Sequence, residues 1–323
     1  MARFITRRII QLLPLLLGIT IVSFFVMQLA PGDYLDQLRG QPQIRPETIA
    51  RLREQFGLDR SSPEQYWRWL LNAARGNFGY SFTYKIEVFT LIKQRLYYTF
   101  LLSFWSTIFS WGVAIPLGIY IARRRNSISD RLWNFLAFLG ISLPGFFMAL
   151  LAMKLAQQSG WFPVGGATSV NYDSLSWLGK LKDTSWHLIL PTLVLGTRGV
   201  AGLMRQMRGN MLDVLSENYI LAARARGLSE RKVIYKHALR NSINPLVTLF
   251  GYEISGLLAG AALVENVMAW PGLGRLLLES VQSRDLYVAM GAFVMGGVML
   301  IIGNLIADVL LAITDPRIRF ESS

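Results

Sequence analysis

Side chains that could carry covalent or metal chemistry are scarce in this 323-residue sequence, which has no cysteine and two histidines, His187 and His237. Disulfides, thiolate nucleophiles and cysteine metal centres are excluded by composition, and two distant histidines are too sparse for a histidine-based metal site. Ser142 and His187 are the one conceivable nucleophile–base pair of a hydrolase. No oxyanion motif accompanies them, and His187 falls at the edge of an apolar stretch. The segment "PGLGRLLLES" (271–280) is glycine-punctuated, but it lacks the lysine and following Ser/Thr of a phosphate-cradling loop. No stretch of the sequence cradles nucleotide phosphates, so chemistry is expected to come from partners while this chain supplies shape.

The elements that provide that shape are apolar. The chain is 52% hydrophobic and 16% charged, whereas a soluble domain is about a quarter charged. A net charge of +13 would suggest nucleic acid in a soluble protein, yet the bases are not gathered into one domain, so no nucleic-acid partner is expected. A bilayer core needs about 20 apolar residues in a helix. Six stretches qualify, at Ile9–Leu29, Tyr98–Ala122, Leu132–Ala152, His187–Met204, Ile243–Val264 and Tyr287–Ile313. The expected fold is an all-α polytopic membrane protein with six transmembrane helices. The first stretch follows Arg3, Arg7 and Arg8 but ends at Gln28–Ala30, a poor cleavage site, and reads as a retained helix.

Basic residues in short loops set the orientation. Arg123, Arg124, Arg125 and Arg131 face one acid, Asp130, in the 123–131 loop, and eight bases face three acids in the 205–242 loop. The 157–186 loop holds only Lys180 and Lys182 against Asp173 and Asp183. Both termini and the two basic loops are therefore expected in the cytoplasm. Residues 30–97 carry ten bases and seven acids yet fall outside by parity, which a segment longer than about 60 residues tolerates. Within it, "PETIARLREQFGLD" and "SPEQYWRWLLNAARGNFGY" have helical spacing, with Pro46 and Pro63 near the first turns. Two or three short helices are expected, with Tyr66, Trp67, Trp69 and Phe78 forming amphipathic surface. The expected organisation is a first span (1–30), an outer helical segment (31–97), a five-helix core (98–314) with the cytoplasmic loop 205–242, and a tail (315–323).

That loop contains "AARARGLSERK" (222–232). Leu212, Leu215, Tyr219, Ala222 and Arg226 share one helical stripe, with acids toward its start and Arg224 and Arg226 toward its end, as the helix dipole favours. Gly227 is placed for a left-handed cap, and Ser229 can begin a second helix with Val233, Ile234, His237 and Ala238 buried. The spacing predicts two helices meeting at a glycine corner, with Ala222 and Ala223 small enough for another protein to approach closely. In the spans, Glu253 is near the centre of the fifth and Asn304 and Asp308 lie toward the inner end of the sixth. A mid-membrane carboxylate must face protein or water, so Glu253 either lines a translocation path or bonds to a neighbouring helix. Gly256 and Gly260 make a GxxxG pair, and Gly291, Gly296, Gly297 and Gly303 thin the sixth span.

The loop resembles the ATPase-docking loop of inner-membrane permease subunits of binding-protein-dependent ABC importers, whose pattern is Glu-Ala-Ala, three residues, then Gly. Ala222, Ala223 and Gly227 match, while Leu221 replaces the Glu and the downstream end is partly kept as His237, Leu239 and Arg240. The likeness extends through "RRIIQLLPLLLGITIVSFFVMQLAPGD", "PLGIYIARRR", "ISLPGFF", "LILPTLVLG", "VENVMAWPGLGRLLLESVQSRD" and "DPRIRF", which are similar to the first permease of dipeptide, oligopeptide and nickel importers. The resemblance implies a type I importer permease in a bacterial inner membrane. Implied partners are a second homologous permease, two ATPase subunits that bind ATP and Mg, and an extracytoplasmic substrate-binding protein. It implies that Tyr219, Leu221, Ala222, Ala223, Arg224, Gly227, Leu228 and Ser229 form the ATPase contact. Peptide, nickel, glutathione or another small solute fit as cargo; a stand-alone channel or secondary transporter would need no such loop.

Overall fold

The computed structural model describes residues 2–29, 35, 46–55, 57–247, 249–250 and 262–314. Among them every regular element is helical, apart from a lone antiparallel bridge between Tyr80 and Glu87. The helices are α1 (Ala2–Leu29), α2 (Pro46–Gln55), α3 (Ser62–Ala74), α4 (Val88–Arg123), α5 (Ile128–Ser142), α6 (Gly145–Ser159), α7 (Trp177–Leu215) and α8 (Asn218–Ala225). A composite helix over 230–242 follows, α-helical at Glu230–Lys232 and Leu239–Ser242 around a π-helical turn at Val233–Ala238. α9 (Ala262–Val267), α10 (Leu273–Gln282) and α11 (Leu286–Thr314) complete the order.

Three of these, α4, α7 and α11, contain stretches long and apolar enough to cross a bilayer. The expected third span is not one straight helix. It is divided between α5 and α6, which meet at 103°. Pro144 is the cause. It has no N–H to continue the ladder, and its ring drives the preceding residue out of the helical region. Leu143 is accordingly extended (φ −82°, ψ 128°), and Pro144 caps the new helix. The expected fifth span falls largely outside the described residues, as do Gly256 and Gly260.

The chain divides into two compact units. The first comprises the described parts of 1–99 with 271–301. Its core joins Phe24, Trp69, Phe78, Val88, Ile92, Leu276 and Val288. Trp69 and Phe78 are therefore interior rather than the amphipathic surface expected of them, because Trp69 Nε1 donates to the Phe78 carbonyl at 3.3 Å and the pair closes the α3 end. Trp67, on the opposite side, is exposed. Gly79 (φ +97°) turns the chain so tightly that a Cβ there would lie 3.0 Å from the Tyr287 ring.

The loop after Gly79 is tied by carboxylates. Ser81 donates its hydroxyl and Thr83 its N–H to Asp285 Oδ2, at 2.7 and 3.0 Å. Tyr84 donates to Glu279 Oε2 at 2.6 Å, and Arg275 Nε donates to Oε1 at 2.7 Å. Burial, then the bond to Glu279, pushes the Tyr84 phenol up to about 12. Burial works to raise Glu279, but donation from Tyr84 and Arg275 outweighs it and holds the carboxyl below its ordinary 4.5. A depressed carboxyl pKa adds stability above the unfolded value, and that stability is lost as pH falls through the lower folded value. We expect the melting temperature to fall between about pH 5 and pH 3, with a shallower slope in Tyr84→Phe and the shallowest in Glu279→Gln. Thermal unfolding of the three proteins over that range checks this, and equal slopes would refute it.

The second unit comprises 100–270 and the described residues from 302 onward. Its main core holds Ala114, Ile121, Met204, Met207, Met211, Ile220, Val233, Ile234 and Ala238. Glycines let α4 and α7 meet closely, as small residues do between membrane helices. A Cβ on Gly196 would lie 2.5 Å from Phe109 Cδ1, on Gly199 2.5 Å from Ser110 Oγ, and on Gly118 2.7 Å from Met207 Cβ. These pairs advance together along both helices, so α4 and α7 run parallel.

Candidate functional site

The glycine corner is built from three breaks in the helical ladder. α7 stops at Leu215, where the Ser216 hydroxyl donates to the Asp213 carbonyl at 2.6 Å. Glu217 turns extended (φ −69°, ψ 145°) as the N-cap of α8. The expected stripe from Leu212 to Arg226 is thus interrupted. Its apolar period continues through Ser216–Glu217, but the backbone does not.

α8 turns Ile220 and Ala223 into the core and leaves Tyr219, Leu221 and Ala222 exposed, with Leu221 at 53%. Ala223 does not offer the open small surface expected of it, since the i+3 position from Ile220 lies on the buried face; Ala222 does. The helix then closes in the geometry anticipated for Gly227. The Leu228 N–H bonds the Ala223 carbonyl at 3.3 Å and the Gly227 N–H bonds the Arg224 carbonyl at 2.9 Å. These are the two bonds of a Schellman cap, and they need a left-handed residue, here Gly227 at φ +75°. Leu228 packs against the core that holds Ala223.

Ser229 occupies the N-cap of the next helix (φ −59°, ψ 141°), but its side chain makes no cap bond. Its carbonyl accepts from the N–H groups of Lys232 and Val233, at 2.8 and 3.0 Å. Val233, Ile234 and Ala238 are buried as expected, and His237 is half-buried. Across the corner, Arg224 donates to both oxygens of Glu230, at 3.2 and 2.8 Å. The guanidinium holds the Glu230 carboxyl below its ordinary value. Leu221, where the resembling loop has its Glu, is exposed, and the loop arginine Arg224 is paired with Glu230. Asn241 Nδ2 donates to the Tyr219 hydroxyl at 2.7 Å, latching the returning helix to α8.

One member of the site was not visible in the sequence as such. Asp130, counted only as an acid among four arginines, is 3% exposed. It accepts from Arg208 Nε and an Arg208 terminal nitrogen, each at 2.7 Å, from Asn134 Nδ2 at 2.7 Å and from the Asn126 N–H at 3.0 Å. This ties the 123–131 loop to the base of the 205–242 loop. The local signal was Ser127-x-x-Asp130, a helix-start pattern in which the Ser127 hydroxyl accepts the Asp130 N–H. The partner 78 positions away had no local signal. Of the path residues, Asn304 is half-buried in α11, and Glu253 lies outside the described residues. His187 is buried, with Nδ1 hydrogen-bonded to the Asp183 carbonyl at 2.9 Å.

Comparison with known proteins gives this architecture its family. Residues 114–320 match the family model described as "Binding-protein-dependent transport system inner membrane component". Residues 1–103 match "Binding-prot-dependent transport system membrane comp, N-term". Among curated proteins, the oligopeptide transport system permease protein AppB of Bacillus subtilis is 42% identical, with 99% of this chain and all of that protein covered. The dipeptide transport system permease protein DppB of Escherichia coli is 36% identical at 99% and 100% coverage. The glutathione transport system permease protein GsiC of Salmonella paratyphi A is 37% identical, again at 99% and 100%. A match over both halves, at these identities and full length, places the chain in the family of inner-membrane components of binding-protein-dependent transport systems.

Proposed function

We propose that this chain is the permease subunit of an ATP-driven importer for di- or oligopeptides, forming half of an alternating-access pore with a second, homologous permease. The observation that carries the proposal is the corner at Gly227, a capped, latched projection that exposes Tyr219, Leu221 and Ala222 in a chain without a phosphate-binding loop of its own. Its exposed face, with Arg224, Leu228 and Ser229 around it, is the contact for one of two ATPase subunits, which bind ATP and Mg. ATP binding closes the ATPase pair and carries the corner with it. The spans then rock to open outward, and hydrolysis resets them.

Six spans with both termini in the cytoplasm fit this role. The parallel course of α4 and α7 supports that topology, because it requires the bent pair α5–α6 to cross once between them. The peptide cargo is supported by the names of relatives that cover the whole chain. A glutathione permease at similar identity keeps that small peptide as a second reading. Within the path we assign Glu253 to a cationic group such as a peptide amino terminus, with Asn304 nearer the cytoplasmic end.

The test is the complex reconstituted with its ATPases and binding protein, assayed for peptide-stimulated ATP hydrolysis and uptake. Hydrolysis driven by nickel but not by peptides would overturn the cargo. Glu253→Gln is expected to slow peptides with a free amino terminus about tenfold, the effect of roughly 1.4 kcal/mol, and to leave N-acetylated peptides unchanged. Equal rates for both would remove Glu253 from the path.

A further inference from the structure

Several hydroxyls inside α4 and α7 are paired with a carbonyl within reach. Thr107 donates to the Ser103 carbonyl at 2.8 Å, Thr197 to the Leu193 carbonyl at 2.6 Å, and Ser110 crosses to the Gly196 carbonyl at 3.0 Å. Three others break the pattern. The hydroxyls of Ser103, Ser106 and Thr192 are enclosed by protein and have no hydrogen-bond partner among the described residues. Their residues are 8%, 0% and 9% exposed, so bulk solvent does not reach them. A buried hydroxyl without a partner is costlier than an apolar group of the same shape, and folded proteins contain few of them.

The three belong to one seam. Ser110 and Gly199 face each other, since a Cβ on Gly199 would lie 2.5 Å from Ser110 Oγ. Ser103 and Thr192 each precede that pair by one heptad, which returns a side chain to the same face within about 20°. They therefore stand level across the two helices. Between the two levels, a Cβ on Gly196 would lie 3.3 Å from the Ser106 carbonyl oxygen and 2.5 Å from Phe109 Cδ1, which closes the seam on one side. The depths match as well. Ser103 and Thr192 each lie about 8 Å inside the apolar stretches that begin at Tyr98 and His187, at 1.5 Å per residue. Pro191 adds a fourth polar group. It lies within α7, next to Thr192, and has no N–H to return to the His187 carbonyl. Between membrane helices a carbonyl freed in this way is satisfied by side chains or by ordered water, and the neighbouring Thr192 hydroxyl does not bond it.

We propose that Ser103, Ser106 and Thr192 form a water-binding site between α4 and α7, beside the proline of α7. The ligand must be small, because the glycine contacts narrow the seam. It must also both donate and accept, because the site presents hydroxyls and a carbonyl. Water meets both conditions, and a buried water makes about three hydrogen bonds. Held there, it replaces the ladder bond that Pro191 removes and lets α7 bend at that point without leaving a backbone group to the hydrocarbon. The site is independent of the cargo and of the ATPase contact.

The experiment images the chain with its partner subunits in lipid nanodiscs, by electron cryomicroscopy at a resolution that shows ordered water. Density is expected within hydrogen-bond distance of both Ser103 Oγ and Thr192 Oγ1, and it should vanish in Thr192→Val. Thr192→Val and Ser106→Ala should each lower the melting temperature by about 2–4 °C, while Thr192→Ser keeps it. If Thr192→Val does not assemble, the map and melting temperature of Ser106→Ala decide. A melting temperature that rises in Thr192→Val would show a hydroxyl with nothing to bond and overturns the site. So does a wild-type map in which the hydroxyls bond each other or a further helix directly. Stability that follows sodium concentration would give the site to a cation and overturns it equally.

Discussion

Gly227→Val is expected to leave a membrane-inserted protein that no longer couples to its ATPase. The reason is torsional rather than steric. A Cβ at this position would meet no heavy atom within 4 Å, so nothing crowds the side chain. The backbone, however, sits at φ +75° with both Schellman bonds in place. An L-residue held there costs roughly 1–2 kcal/mol, a β-branched one more and Asn less. Relaxing φ to a negative value would break the Leu228 and Gly227 bonds and swing α8 away from the helix it is latched to through Tyr219 and Asn241. A shift of this size lowers the population of the native corner about 5- to 30-fold. Peptide-stimulated ATP hydrolysis should therefore fall in the order Gly, Asn, Ala, Val, with Gly227→Val losing at least tenfold and also co-purifying less ATPase. Membrane insertion and expression should be unchanged. Normal ATPase binding and transport in Gly227→Val would show that the corner is not the contact.

That corner was legible because its determinants are local: basic residues in a last turn, a glycine one step beyond, and an N-cap type after it. The helical class and the long apolar helices were legible for the same reason, since periodicity and hydropathy are local sums. Three features escaped by different routes. The bend at Leu143–Pro144 is written in "SLPG", but a hydropathy window averages across it while the backbone cannot. The stop at Ser216–Glu217 leaves the apolar period intact and is decided by a hydroxyl that bonds Asp213 more readily than the ladder continues. The inward turn of Trp69 and Phe78 depends on which neighbours arrive from elsewhere in the chain, and no spacing rule ranks one aromatic above another for that. Loop charge, counted as topology, likewise conceals which bases have a fixed partner.

Asp130→Ala is expected to be the more damaging of the two ways to break the buried pair with Arg208. Removing the carboxylate leaves the Arg208 guanidinium and the Asn126 N–H without their acceptor at once, while Asn134 keeps only the Asp130 carbonyl at 2.7 Å, in a place where Asp130 is 3% exposed. Breaking one partner of a buried pair costs about 3–5 kcal/mol. The Arg208 side chain keeps 24% exposure and can reach water, which places Asp130→Ala at the lower end, about 3 kcal/mol. Arg208→Ala leaves a carboxylate that still accepts from Asn126 and Asn134, so its cost should be smaller, about 1–3 kcal/mol. Arg208→Lys should recover only part, because an ammonium cannot match the two-point geometry of Nε and the terminal nitrogen on Oδ1 and Oδ2. Thermal unfolding of the single variants and of Asp130→Ala/Arg208→Ala gives the coupling directly, and a pair energy near zero would reduce the contact to a surface ion pair. The functional consequence follows from position. Asp130 begins α5 and Arg208 lies in the last two turns of α7, ahead of the corner. With the pair intact, any displacement of the corner is expected to reach the start of the bent helix as well as to run along α7. ATP hydrolysis without uptake in Arg208→Ala, with ATPase binding retained, is the expected signature. Uptake and hydrolysis falling in the same proportion would instead mean that the pair only holds the fold.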